Sequence, residues 1–475
     1  VLFPTTDFAI FLLLVFLGHW IWNHDSRWWK GFMLLASYVF YAWWDWRYVF
    51  LLAGVSAISQ VAALAVQKRS DPRKRNAATL IGVGATIAPL LFFKYYGFLT
   101  VNLANGATAL GLDWTPPLIQ VVLPVGVSFY TFMAVAYVVD VKREKIAVSS
   151  WSDVFLYLAF FPHLVAGPIV RPDELIPQID VRRDPRNLDV AGAAWLIFGG
   201  LFKKVVIANY LATAIVDPVF GDPSRHSSAE AVIGLVAYAV QIFCDFSGYT
   251  DIAIGVAKLL GFRFPQNFDR PYSARSVQEF WRRWHMTLSR WLRDYLYIPL
   301  GGNRKGRVRT YVNMAITMLL GGLWHGAAWH FFVWGGLHGA YLAVGQWKRD
   351  RRAAGQLTEP PETPAVAWAQ RLMTFTLVCI GWAFFRADSV ATALQLLGRV
   401  WTGWDTPTEL VTPAVLLATA VGLATQFSPT GLGNRIMAKV AVMRPVPMGL
   451  IGAVVLFAIT TLGPRGVAPF IYFQF

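Results

Sequence analysis

Long apolar runs separated by short charged turns dominate the chain. The runs are Phe8–Trp22, Gly31–Trp44, Tyr48–Val66, Ala77–Tyr96, Val121–Val139, Val190–Val216, Ala231–Ala257, Tyr311–Trp347, Trp368–Phe385, Pro413–Gln426 and Met448–Leu462. Most approach the roughly 20 residues that cross a bilayer as a helix, and Tyr311–Trp347 is long enough for two short spans. The pattern predicts an all-α, polytopic membrane protein with about eleven or twelve membrane elements. Strand-type alternation is not visible, and no internal repeat stands out. Linkers are short, so residues 1–475 read as one integral membrane domain. The first run lacks a basic leader and a small-residue cleavage site and reads as the first span.

Composition agrees with this pattern. The chain is 56% hydrophobic and 15% charged, with a mean hydropathy of +0.46, too little charge for a water-soluble surface of this size. The net charge of +15 is concentrated in Gln67–Arg75, Lys142–Lys145, Lys348–Arg352 and the stretch Lys258–Arg309, which holds twelve Lys and Arg against three acids. The positive-inside rule places these loops in the cytoplasm, so that Arg73 and Arg351 face inward. Gly97–Gln120 and Asp217–Glu230, including Ser227, then face outward, as does the beginning of the chain. Because the charge follows membrane loops, its partners are lipid headgroups rather than nucleic acid. Cys244 and Cys379 lie in apolar runs and read as small buried hydrophobes.

Titratable groups in apolar runs mark candidate chemistry, because ionisable side chains at membrane depth are costly. His325 lies in Tyr311–Trp347, which contains no Lys, Arg, Asp or Glu. His330 and His338 share that run but not its helical face, and Gly335–Gly336 is a candidate break between them. With no carboxylate or thiolate nearby, a metal site is not expected. No G-x-S-x-G elbow is present. A lone imidazole acting as a base remains, with a packed core histidine as its competitor. Cys244, Gly248, Asp251 and Gly255 share one face of a predicted helix, where small residues permit close approach. Asp245 points elsewhere, and both aspartates are candidates either for structural ion pairs or for the site. The proline-broken stretch FFPHLVAGPIVRPDELIPQ predicts irregular backbone that lines a cavity, with His163 in it. His19, His24 and His226 read as incidental. Phe280–Gly306 predicts an amphipathic helix lying in the headgroup plane. It carries His285, and its basic residues, Arg282 and Arg283 among them, are able to hold the phosphates of a soluble carrier such as coenzyme A.

Four blocks resemble the membrane-bound O-acyltransferase family, in its bacterial alginate O-acetyltransferase branch. They are LPVGVSFYTFMAVAYVVDVKRE (Leu123–Glu144), FFPHLVAGPIVRP (Phe160–Pro172), DFSGYTDIAIGVAKLLGF (Asp245–Phe262) and FWRRWHMTLSRWLRDYLYIPLGGNRKG (Phe280–Gly306). The LWHG of Leu323–Gly326 and the WGGLHG of Trp334–Gly339 complete the likeness. It implies a ring of helices around a thin centre where cytoplasmic and outer funnels meet. The family's near-invariant histidine falls on His325 and its second signature position on His285. Trp324, Tyr249 and Asp251 are implied tunnel residues. The implied donor is cytoplasmic acetyl-CoA, with no tightly held cofactor. The implied acceptor is an extracytoplasmic polysaccharide, often reached through a periplasmic acetyltransferase, and the implied location is the bacterial inner membrane. Met133, Ala328 and His330 depart from the usual Gln, Asn and Thr and leave the acceptor open. The rival expectations are D-alanyl or other acyl transfer from a carrier protein, a secondary transporter, and a structural membrane subunit.

Overall fold

The computed structural model describes residues 3–462 except 24, 25, 113, 115, 118, 120, 430 and 444. His24 therefore lies outside the described residues, as does part of the 97–120 segment. The chain is 76% helical, with no strand among the described residues, and is an all-α polytopic membrane protein. Among the described residues, four helices are long and apolar enough to cross a bilayer: Arg47–Gln67, Pro72–Ala109, Val190–Gly221 and Ser228–Leu259. Shorter apolar helices cover Thr6–Trp22, Pro413–Phe427 and Gly449–Leu462. The chain divides into two compact units, residues 1–189 with 256–265, and residues 190–255 with 266–475.

The first unit contains α1 (Thr6–Trp22), α2 (Ser26–Ala42), α3 (Arg47–Gln67), α4 (Pro72–Ala109), α5 (Val127–Lys142), α6 (Trp151–Ala159), α7 (Phe161–Leu164) and α8 (Pro172–Ile179). Helix α4 starts cleanly, because the Asp71 side chain accepts from the Lys74 amide at 2.8 Å and Pro72 needs no donor of its own. It then runs 38 residues, about 57 Å at the helical rise, well beyond a hydrocarbon core of about 30 Å. The sequence assigned everything after Tyr96 to an outer loop; the helix instead continues to Ala109, since no glycine or proline pair stops it earlier. Arg75 pairs with Glu144 at 2.6 Å, which puts the basic turns 67–75 and 142–145 on one face. Lys30 pairs with Asp153 (2.7 Å) and Asp180 (2.5 Å), which ties α2 to α6 and to the end of α8. Gln60, buried in α3, donates to the Ser149 carbonyl and accepts from the Tyr137 hydroxyl, both at 2.8 Å.

The first part of the proline-broken stretch is irregular as expected but packed solid, whereas Pro172–Ile179 is a regular helix with Asp173 and Pro177 exposed. Residues 160–170 are all buried, and the Tyr157 hydroxyl donates to the Val170 carbonyl at 2.9 Å. Gly126, at φ +75°, abuts the Leu164 carbonyl so closely that a Cβ would sit 2.5 Å from it. His163 is sealed among the rings of Tyr157, Phe160 and Phe264, so it is a core residue and not the cavity wall that the sequence suggested. His19 accepts from the Trp29 indole at 2.9 Å, a structural tie between α1 and α2.

The second unit contains α9 (Val190–Gly221, with two wide π-type turns at Phe202–Ala208 and Ala212–Val216) and most of α10 (Ser228–Leu259). It continues with α11 (Val277–Arg283), α12 (Met286–Leu292), α13 (Arg307–His325), α14 (Trp329–Ala353), α15 (Pro364–Arg386), α16 (Val390–Thr402), α17 (Pro413–Ala424), α18 (Leu432–Ala441) and α19 (Pro445–Leu462). The small-residue face of α10 meets α9 as expected. A Cβ on Gly248 would sit 2.8 Å from the Gly200 carbonyl, and one on Gly255 would sit 2.9 Å from that of Ala193. The Asp217–Glu230 loop is tied to the end of α15 and to the loop after α16. Arg386 pairs with Asp217 at 2.7 Å, and Glu230 accepts from the amides of Glu409 and Leu410, each at 2.7 Å. Glu230 also lies 3.2 Å from His226, which makes His226 part of this tie. Cys244 and Cys379 are buried free thiols.

The two ends of the chain's loops make the topology testable. Ser227 is buried, so a label placed there would be blocked, whereas its neighbour Arg225 is exposed, as are Arg73 and Arg351. Single cysteines at 73 and 351 are expected to be protected from an impermeant thiol reagent in intact cells, and one at 225 to react. The opposite pattern would reverse the orientation.

Candidate active site

The tryptophan-rich stretch that the sequence presented as one surface helix is two buried helices with a kink between them. Helix α11 begins at Ser276, whose hydroxyl accepts from the Glu279 amide at 3.2 Å, and it ends at Arg283. His285 then adopts the left-handed conformation, with φ +41° and ψ +55°, and α12 starts behind it. That region is uncommon for a residue with a Cβ. The preceding loop holds the kink in place. The Asn267 carbonyl accepts from the Met286 amide at 2.9 Å, and its side-chain oxygen accepts from the Thr287 amide (3.2 Å) and hydroxyl (2.9 Å). Phe280, Trp281, Trp284, Leu288 and Trp291 are all buried. Their three-and-four spacing therefore encodes a core face, which corrects the expectation of a helix in the headgroup plane. The hydrophobic period is the same in both cases, and only tertiary packing tells them apart.

His325 is the last residue of α13. The turn Gly326–Ala328 follows, and α14 returns antiparallel, which confirms two elements within Tyr311–Trp347. The break falls at Gly326, not at Gly335–Gly336, where α14 runs straight through. Those small residues act in packing. A Cβ on Gly322 would lie 2.3 Å from the Phe331 carbonyl, and one on Gly335 would lie 2.4 Å from the Met318 carbonyl. Backbone contact at this range draws α13 onto α14 and fixes where the end of α13 points.

Three aromatic rings surround His325, with centroids at 4.9 Å (Trp324), 5.0 Å (Trp334) and 5.0 Å (Phe385). His285 is fully buried, with Phe246 edge-on at 4.7 Å and Phe268 parallel at 6.5 Å. Trp324 neighbours both histidines, 6.1 Å from the His285 ring and 4.9 Å from that of His325. The site candidates His285, Trp324 and His325 thus come together. His330 and His338 are committed elsewhere. His330 Nδ1 lies 2.9 Å from the Phe384 carbonyl, to which it donates, and His338 Nδ1 accepts from the Trp281 indole at 3.2 Å. Among the described residues, no three His, Cys, Asp or Glu side chains converge as metal ligands would.

The remaining candidates separate. Asp251 pairs with Lys203, and Asp245 pairs with Lys204 in the interior, where both side chains are at most 4% exposed. These are the ion pairs that the sequence left as one of two options, and two lysines inside Val190–Val216 were the available signal. Tyr249 is buried, with the Lys204 ammonium 5.6 Å from its ring. Arg282 points outward, whereas Arg283 turns into a hollow of about 490 Å³ lined also by Arg270, Arg275 and Arg371. There Arg283 donates to Glu279 (2.7 Å) and to the Ser273 hydroxyl (2.9 Å). Sequence reasoning missed Arg270 and Arg371, far apart in the chain, as it missed Trp334 and Phe385 beside His325. Of the departures from the family pattern, Ala328 caps α14 and His330 holds the Phe384 carbonyl, so both flank the His325 turn, while Met133 is buried in the first unit.

An all-α membrane chain with a histidine enclosed at a helical hairpin is compatible with an intramembrane transferase. The match to the family model confirms the class: residues 85–385 match the membrane-bound O-acyltransferase family, and the chain belongs to that family. It is an O-acyltransferase. A probable alginate O-acetylase of Pseudomonas putida is 40% identical over 85% of this chain and 81% of its own length. A peptidoglycan O-acetyltransferase of Helicobacter pylori is 35% identical over 83% of this chain and 78% of its own. A teichoic acid D-alanyltransferase of Streptococcus thermophilus is 30% identical over 55% and 67%.

The hairpin contact yields a test on adjacent glycines. Gly335→Ala drives a methyl into the Met318 carbonyl and is expected to cost about 1–3 kcal/mol, the usual range for overpacking. Gly336→Ala meets nothing closer than the Leu319 side chain at 3.6 Å and is expected to be tolerated. Thermal melting of the two purified variants measures the difference, and equal melting would show that the hairpin does not depend on this contact.

Proposed function

We propose that this O-acyltransferase carries acetyl from cytoplasmic acetyl-CoA across the bacterial inner membrane for O-acetylation of an extracytoplasmic, alginate-like polysaccharide. The observation that carries the reading is the packing of His285 and His325 against the same Trp324 ring. His325 acts as general base or positioning group. Its imidazole accepts the proton of an attacking hydroxyl as the new C–O bond forms at the thioester carbonyl. The C–S bond breaks, and the thiolate takes the proton from the imidazolium. His285 orients or polarises the donor. The acceptor hydroxyl belongs to the polysaccharide or to a periplasmic acetyltransferase that relays the group.

Acetyl, in preference to D-alanyl, is supported by the relatives. Those named for O-acetyl transfer match at 35–40% identity over four-fifths of this chain, against 24–30% over about half of it for the D-alanyl enzymes. The arginine-lined hollow supports a nucleotide-linked donor, because guanidinium groups recognise phosphate in a fixed fork geometry.

His325→Ala is expected to abolish acetylation, a loss of about 10²–10⁴-fold, in protein that inserts and purifies normally. His338→Ala leaves the Trp281 N–H without its acceptor and is expected to lower melting temperature while activity per folded molecule survives. A well-folded His325→Ala protein retaining more than about a tenth of the rate, outside the range for a general base, would sink the assignment.

Arg283→Ala and Arg371→Ala are each expected to raise the KM for acetyl-CoA more than they lower kcat, whereas Arg282→Ala leaves both unchanged. Equal effects at 282 and 283 would remove the hollow from donor binding, and activity only with an acylated carrier protein would favour the D-alanyl-type reading.

A further inference from the structure

Two hollows in the second unit share the walls α9 and α18 but differ in chemistry. One, of about 470 Å³, is polar and is lined by Lys203, Asp251, Asp269, Arg270, Gln426 and Ser428, with Leu432 and Gly433 at the start of α18. The other, of about 330 Å³, is an apolar slot lined by Trp195, Phe198, Phe202, Met437, Ile451 and three glycine- or alanine-sized positions on α9. They adjoin. Phe202 lines the slot and Lys203, the next residue, lines the polar hollow. Along α18, Leu432 and Gly433 face the polar hollow, while Ile436, Met437 and Val440 face the slot. The Trp195 indole lies at the junction, 3.4 Å from where a Cβ on Gly433 would stand. Tryptophan takes this position where apolar and polar surroundings meet.

A hollow that is polar at one end and apolar at the other fits an amphiphile. The charge around it selects the headgroup. Within the polar hollow, Asp251 neutralises Lys203 and Asp269 neutralises Arg270. The uncompensated charge is on α18, where Arg435 and Lys439 are exposed one turn apart, and no acidic residue follows Glu409 in the sequence. A basic amphipathic helix with its apolar face turned inward attracts anionic lipid. We propose that this composite hollow is a binding site for one anionic phospholipid, with its headgroup at the polar end, within the field of Arg435 and Lys439 on the exposed side of α18, and one acyl chain in the slot between α9, α18 and α19. The inference does not depend on which acyl group the enzyme transfers.

Two glycines make the slot testable without disturbing its walls. Gly199 has nothing within 4 Å of its Cβ direction, and a Cβ on Gly452 meets only Phe198, at 3.5 Å. Gly199→Phe and Gly452→Leu therefore fill the slot from opposite sides. The full chain would be purified in detergent, incubated with phosphatidylglycerol or phosphatidylethanolamine of identical tails, stripped by detergent exchange, and its retained lipid counted by native mass spectrometry. Wild type is expected to keep one phosphatidylglycerol and to prefer it to phosphatidylethanolamine by about ten-fold. Either slot-filling variant is expected to lose it, and Arg435→Gln with Lys439→Gln to lose the headgroup preference but not the monodisperse fold. Equal retention of the two lipids by wild type would overturn the proposal. Unchanged retention in both filled variants would also overturn it, since any bound lipid would then lie elsewhere.

Discussion

Backbone-to-backbone approach between α13 and α14 is the constraint on which the rest of the second unit's site depends. Gly322 sits against the Phe331 carbonyl and Gly335 against that of Met318, at distances no side chain survives. In lipid there is little hydrophobic gain in pressing apolar helices together, so close van der Waals contact between small residues carries the association. Once the two helices are locked, the turn at Gly326 has one geometry. His325, the last helical residue before it, is then directed into the ring cluster of Trp324, Trp334 and Phe385.

His285 reaches the same cluster by a different device. Its left-handed backbone costs free energy, of the order of 1–3 kcal/mol for a residue with a Cβ. That cost is offset by the Asn267 clamp, which satisfies the amides of Met286 and Thr287 just beyond the kink. A straight helix from Phe280 onward would carry His285 on a different heading. Strained backbone held by surrounding hydrogen bonds is characteristic of functional positions, and here it brings the second histidine up to the Trp324 ring.

Two consecutive lysines of α9 are each matched by an aspartate, one pair buried and the other half-buried. Lys203 and Lys204 are consecutive, yet a π-type turn lets each meet its own aspartate on α10, Asp251 and Asp245. A buried ion pair contributes little net stability, because desolvation consumes the Coulombic gain, but removing one partner leaves an uncompensated charge and is strongly destabilising. These pairs therefore fix the register of α9 against α10 more than they strengthen the fold, and that register sets where the polar hollow and the apolar slot meet.

Apart from His285, a candidate through family likeness, the sequence by itself determined the all-α membrane architecture, the small-residue face of α10 and the two-element reading of Tyr311–Trp347, and it marked His325 as a candidate. Each rests on local information: an apolar run of sufficient length, an i, i+4, i+7 spacing of small residues, or a titratable group where charge is otherwise excluded. Only the tertiary structure decided the rest. A three-and-four spacing of tryptophans reads the same whether the helix faces headgroups or a protein core, so the burial of Phe280–Leu292 was not legible. Gly335–Gly336 reads equally as a helix break or as a packing surface, and the facing Met318 carbonyl selects the second. His163 in its broken segment reads equally as cavity wall or plug. Arg282 and Arg283 are adjacent in sequence, yet successive residues on a helix point about 100° apart, so one faces outward and the other a hollow shared with Arg371. Partners remote in the chain, as Trp281 and His338 or Arg270 and Arg371 are, have no local pattern at all, because only the packing of distant helices brings them within reach.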